Sequence, residues 1–231
     1  MSDLRAPGVL GAAWLVARKD LTIEFRTRTA FFSALVFAVL GLCIFYFAWD
    51  PTAVSAIDLA PGVLWVILTF SGLLGLQRSF SVEENERAVD GLLVSPIERE
   101  SIYLGKAIAN IVFVGAIQLL AIPALALFYN LPLGRPFLAL IAIALLAIVG
   151  LVAVGTLFSA MAVNTRLAEL LLPMLSLPFF VPIVIGAAGS TTKILAGRPV
   201  AEAWPWLKIL IAFDIVFLTA CTLAFPYTLE E

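Results

Sequence analysis

An all-helical membrane protein with six transmembrane spans is the fold class this sequence predicts. Three observations carry the expectation: composition, six apolar windows, and a lopsided placement of Lys and Arg. The 231-residue chain is 62% hydrophobic and 13% charged, with a mean hydropathy of +1.08. Soluble domains run at roughly 45–50% apolar and about 25% charged residues, so this much apolar surface needs lipid as its solvent.

Composition also excludes whole classes of chemistry. A net charge of −2 offers no basic face for nucleic acid. The absence of histidine removes the commonest metal and haem ligand and the usual neutral-pH acid–base group. Cys43 and Cys221 fall inside apolar windows towards opposite membrane faces, which suits small buried hydrophobes rather than a disulfide. No signal-peptide cleavage pattern precedes the first span, so the basic N-terminal segment reads as mature protein.

Residues 8–27 carry Arg18, Lys19, Asp20, Glu24 and Arg26 and so do not span. Leu10, Trp14, Leu21 and Phe25 recur at helical spacing. That pattern predicts an amphipathic helix lying in the membrane interface; a soluble helix capping the bundle is the alternative. Six windows of low charge follow: 30–49, 59–77, 107–129, 137–162, 170–189 and 207–226. About 20 apolar residues cross the ~30 Å hydrocarbon layer as a helix, and lipid leaves an open segment no other way to satisfy its backbone. Asn130 to Gly134 reads as the turn between the third and fourth spans.

Lys and Arg placement orients the bundle. Ten of the 14 fall in the N-terminal segment, the loop after the second span and the loop before the fifth; Arg135, Lys193, Arg198 and Lys208 fall on the other side. Both termini are therefore expected in the cytoplasm. Residues 190–206, with Trp204 and Trp206 beside Lys208, suit a short segment at the outer interface.

The densest charge lies between the second and third spans, in residues 83–96. Glu83, Glu84, Glu86 and Asp90 crowd the start of a short predicted helix, as its dipole favours, with Arg87 among them. Pro96 ends it. Val89, Leu92 and Leu93 share one face, an apolar anchor ringed by charge, which is the anatomy of a docking site. The plainer alternative is a solvated loop whose leucines fold back on the bilayer.

The layout of an interfacial helix, six spans and an acidic loop after the second resembles the permeases of type-2 ABC exporters (the ABC-2 type). Glu86 to Pro96, followed by Ile102-Tyr103-Leu104-Gly105-Lys106, is similar to the corresponding stretch of the CcmB family, the permease of bacterial cytochrome c maturation. The proline-spaced run from Leu170 to Gly186 is a second point of likeness. The resemblance implies that residues 83–96 form a cytoplasmic coupling helix seated on a separate ATPase of the CcmA type. It implies a homodimer, with the first or fifth span facing the second copy, and association with CcmC, CcmD and, functionally, CcmE. It further implies a bacterial cytoplasmic (inner) membrane location, ATP and magnesium bound by the ATPase subunit, and haem handled by partner subunits. Either haem export or ATP-driven release of haem-loaded CcmE is the expected role. A chain with no histidine is poorly equipped to grip haem iron itself.

Gly105-Lys106 is followed by Ala107 and lacks the upstream glycine of a phosphate-binding loop, so no nucleotide site or catalytic residue is expected in this chain. Asp214 is the one carboxylate well inside a span, a functional site or a hydrogen-bonded packing residue. Arg166 and Glu169, three apart at the mouth of the fifth span, form either a local pair or a relay to the loop. Pro173, Pro178 and Pro182 each remove a backbone donor and predict a kinked, mobile fifth helix. Glycine pairs such as Gly72 with Gly75 and Gly150 with Gly155 suit close helix approach. Two other functions fit the same layout: an ABC-2 permease for a lipid, glycan or drug, and a membrane assembly scaffold that transports nothing.

Overall fold

The computed structural model describes residues 8–85, 97–131, 134–163 and 168–228; for 78–85, 163, 168 and 169 it describes the backbone course alone. Seven helices and no strand occur among the described residues: α1 (Val9–Thr27), α2 (Thr29–Ala48), α3 (Ala56–Asn85), α4 (Arg99–Phe128), α5 (Arg135–Val163), α6 (Ala168–Leu195) and α7 (Val200–Thr228). All but α1 are long and apolar enough to cross a membrane.

Side-chain contacts fix an up-and-down bundle. Phe31 meets Phe113 at one end, while Tyr46 meets Phe128 and Tyr129 at the other, so α2 runs parallel to α4. Trp65 of α3 reaches Thr191 of α6 at the Tyr46 end. At the opposite end Leu76 of α3 meets α5, and the Tyr103 ring of α4 packs, tilted, against Phe225 of α7. The segments that the Lys and Arg count places together thus gather at one end of the bundle.

Small residues set the helix spacing. α2 buries only Ala30, Ala34, Ala38 and Leu42, one residue per turn, and packs chiefly on α3. Its other faces expose Phe32, Val36, Leu40, Ile44 and Phe47. Such exposure is costly in water and neutral in lipid, which solvates hydrocarbon as well as another helix does. Inside the bundle, buried polar groups pair between helices: Trp65 Nε1 donates to Thr191 Oγ1 (3.0 Å), Asn110 Nδ2 to Thr156 Oγ1 (3.0 Å), Ser159 Oγ to the Leu76 carbonyl (2.8 Å), and the Tyr103 hydroxyl to the Ala153 carbonyl (3.0 Å). In hydrocarbon each of these groups would otherwise lack a partner.

The helices run further than the apolar windows. α3 continues for 8 residues past Gln77, the last residue of its span, and α4 begins at Arg99 rather than 107. A charge ends an apolar window but does not end a helix; a cap or a turn does. The segment 190–206 is likewise not a separate interfacial piece. α6 continues to Leu195 and α7 starts at Val200, with Gly197 at φ +68 turning the chain between them. Trp204 and Trp206 belong to the first turns of α7, where Lys208 Nζ lies 5.8 Å above the Trp204 ring and Trp206 packs against Gly189. Asp214 sits at the middle of this 29-residue helix, well inside the span as expected. Cys43 and Cys221 are free, the latter buried.

Among the described residues, two non-glycine residues have left-handed backbone. Asn130 (φ 49) closes α4, and Arg28 (φ 57) separates α1 from α2. The loop between α2 and α3 is short and self-bonded. Asp50 accepts from the Thr52 amide (2.8 Å) and hydroxyl (2.7 Å), which holds its carboxyl below the usual carboxylate range.

Candidate functional site

The charged stretch after the second span joins α3 to α4 in the sequence. Glu83 and Glu84 lie in the last turn of α3. Glu86, Arg87, Val89, Asp90, Leu92, Leu93 and Pro96 lie outside the described residues, as does Arg166. The described structure therefore defines what frames this segment. At about 1.5 Å per residue, the 8 residues after Gln77 carry α3 about 12 Å beyond its apolar span.

The chain returns through α4, whose first three turns are fastened to three other helices. Arg99 Nη1 donates to the Pro226 carbonyl of α7 at 3.0 Å. Tyr103 donates to α5, as does Asn110 about two turns further on. Between them Lys106 reaches α1, with Nζ 3.2 Å from Asp20 Oδ2. Lys106 is completely buried and Asp20 is 17% exposed at its side chain. Lys106 therefore lies inside α4 and is buried, rather than in the loop between the spans. A lysine is fully buried almost only when paired, and its partner stands 86 residues earlier. Gly105 completes the contact: a Cβ there would lie 2.6 Å from the Ala13 carbonyl oxygen and 2.6 Å from Val16 Cβ. Neither Asp20 nor Gly105 carries a sequence signal for this role, since the pairing is created by the fold.

α1 accordingly packs along the first half of α4 with a small-residue face of Ala12, Ala13, Val16 and Ala17. Trp14 (58%) and Phe25 (69%) project outwards with Leu10 and Leu15, and Arg18 is exposed. Lys19 lies 3.1 Å from Asp20. The large apolar residues thus face away from the bundle, and small ones make the contact.

Asp214 is buried at the crossing of α7 with α5. Its Oδ1 would lie 2.7 Å from a Cβ on Gly150, beside Ile183 and Phe213, and has no hydrogen-bond partner among the described residues. Glu169 is in the first turn of α6, and Pro173, Pro178 and Pro182 all lie within that helix. They leave the carbonyls of Glu169, Met174 and Pro178 without the usual helical donor. Ser176 Oγ donates to the Leu172 carbonyl. Nothing described brings Asp214, Glu169 and Lys106 into one cluster.

Two grooves open on the outside of the bundle. One, about 290 Å³, lies between α1, α2 and α4. The other, about 320 Å³, lies between α4 and α5 near Gln118 and Pro123. Both are lined almost wholly by apolar side chains.

Six apolar helices in an up-and-down bundle, with a seventh fastened along the helix that follows a charged loop, define a multi-pass membrane permease subunit of the ABC-2 type. The CcmB protein family matches residues 11–231, and the chain belongs to that family. Heme exporter protein B of Paracoccus denitrificans (strain Pd 1222) is 31% identical over 206 residues, 89% of either chain. The protein of the same name from Pseudomonas aeruginosa (strain PAO1) is 28% identical over 87% of this chain and 90% of its own. That from Escherichia coli (strain K12) matches over 97 residues at 26% identity, 42% of this chain and 44% of its own.

Proposed function

We propose that this protein is the transmembrane subunit of an ABC complex for cytochrome c maturation. A separate CcmA-type ATPase, which binds the ATP and magnesium, drives it through residues 83–96. Val89, Leu92 and Leu93 anchor the ATPase, and Glu83, Glu84, Glu86, Arg87 and Asp90 form the rim of the dock. Two copies associate, with CcmC and CcmD beside them in a bacterial inner membrane, both termini cytoplasmic. The work delivered serves haem export, as the relatives' names say of those proteins, or the release of haem-loaded CcmE.

One observation carries the coupling proposal. α3 runs 8 residues past its apolar span, and the chain returns through α4, whose first turns are bonded to α1, α5 and α7. A force applied at the loop meets a helix already tied to half the bundle. Haem handling by partner subunits fits a chain with no histidine, whose Met161 and Met174 are both exposed. The dimer proposal rests on the exposed apolar faces of α2 and α6, the latter showing Leu170, Met174, Val181 and Ile185.

The test is the double substitution Leu92→Asp with Leu93→Asp, read by co-purification of the ATPase and by covalent haem in c-type cytochromes. Both should be lost while the chain still inserts in the membrane. Retention of both would remove the coupling assignment.

A further inference from the structure

We propose that the groove between α1, α2 and α4 is a phospholipid site, with an acyl chain in the groove and the lipid phosphate on Arg28. The walls are hydrocarbon. Phe25, Phe32 and Val112 border the groove and are themselves 69%, 52% and 44% exposed, so the ligand they meet is apolar. At about 290 Å³ the groove lies at the lower edge of the ~300–1,000 Å³ typical of pockets for compact ligands, which suits a single chain.

Its polar end is built from the break between α1 and α2. Arg28 has a left-handed backbone, φ 57, an uncommon state for a residue with a side chain. That geometry lets its Nε donate to the Phe25 carbonyl at 3.0 Å, which anchors the guanidinium beside the groove. The terminal amino groups form a planar fork, the shape that matches two phosphate oxygens. Glu24, the one carboxylate bordering the groove among the described residues, is engaged: its Oε1 accepts the Phe31 amide at 3.0 Å. Arg26, also exposed, adds positive charge on the same turn of chain.

Depth selects a membrane lipid over a soluble phosphate. Arg28 immediately precedes the 20-residue apolar helix α2, so it stands at headgroup level while the groove opens beside the acyl region. The site is independent of the ATPase and of the loop.

The test is lipid retention by the full-length protein in native mass spectrometry, titrated with phosphatidylglycerol and with phosphatidylethanolamine. Soluble glycerol phosphate serves as competitor. One phospholipid should stay bound to the unaltered protein. Arg28→Gln should weaken its retention about fivefold, the effect of one interfacial cation, and Arg28→Lys should restore most of it. Ala116→Phe, which fills the groove and leaves Arg28 in place, should abolish retention. Equal retention by all four proteins would overturn the proposal. So would displacement by glycerol phosphate, or a Val112→Cys disulfide between two copies in the membrane, which would assign the groove to a second chain. Should Arg28→Gln fail to fold, Arg28→Lys and Ala116→Phe decide the matter.

Discussion

Lys106 and Asp20 join α1 to α4, and their separation sets the scale of what breaking them does. At 3.2 Å the direct attraction is about 5 kcal/mol at an effective dielectric of ~20, most of it offset by removing the ammonium from water. The two ends of the pair are unequal. Asp20→Leu leaves Lys106 its other contacts but takes away its carboxylate at zero exposure, so the docking of α1 should weaken by about 3 kcal/mol. Lys106→Met keeps the length of the side chain. It leaves Asp20 partly exposed and 3.1 Å from Lys19, and should cost about 1 kcal/mol. The double variant should cost about 1 kcal/mol as well, giving a coupling of about 3 kcal/mol, at the upper end for interacting pairs. Hydrogen exchange of the amides in residues 9–27, measured in lipid nanodiscs, reads this opening directly. A coupling below about 0.5 kcal/mol would refute the argument, as would Lys106→Met proving as damaging as Asp20→Leu.

Gly105→Ala should loosen the same contact by about 1–3 kcal/mol, because its Cβ meets the Ala13 carbonyl at 2.6 Å and a backbone carbonyl yields less readily than a side chain. Gly115→Ala, with 3.7 Å of clearance to Ile148, is the control that should leave exchange in α1 unchanged. Gly150→Ala should lower thermal stability by a similar amount through its 2.7 Å approach to Asp214 Oδ1, and Asp214→Ala in the same chain should relieve most of the loss. Asp214→Asn with full cytochrome c assembly would leave Asp214 a packing residue. Thr191→Val should cost about 1–3 kcal/mol by leaving the Trp65 indole N–H buried without its acceptor, while Trp65→Phe with Thr191→Val should recover part of that.

Much of this fold was legible because lipid permits so few solutions. Twenty apolar residues such as those of α2 can only be a helix when nothing else pairs their backbone, so the six spans follow from composition and window length. Where each helix stops was not legible in the same way. Arg99 to Ser101 and, near the start of α7, Glu202 are polar enough to end a hydropathy window, yet both lie in helix because the turn comes before them, at 98 and at Gly197–Pro199. The burial of Lys106 is hidden for a related reason. A charge in a sequence is read as exposure, and only the fold reveals that Asp20 waits for it inside. The aromatic spacing of α1 was readable, but the face that binds the bundle is made of alanines, which carry almost no periodic signal.

The position of α4 follows from these bonds and bears on the proposed coupling. Arg99, Tyr103, Lys106 and Asn110 fall within twelve residues of the helix start and reach α7, α5, α1 and again α5. They recur every three to four residues and so share one face of α4, from which their side chains reach three neighbouring helices at successive heights. A displacement of α4 along its axis has to stretch all of these bonds or carry their partners along. The acceptor on α7 is the Pro226 carbonyl and those on α5 are the Ala153 carbonyl and the Thr156 hydroxyl, so α7 and, through Ala153, α5 are held by their backbones; on α1 the link is a side-chain pair that can be cut without touching the spans. Under the proposed coupling, therefore, Asp20→Leu should free α1 while ATPase docking persists, whereas charges at Leu92 and Leu93 should abolish docking and leave exchange in α1 unchanged. If the two kinds of variant proved indistinguishable in both readouts, α4 would not be the element through which the loop acts.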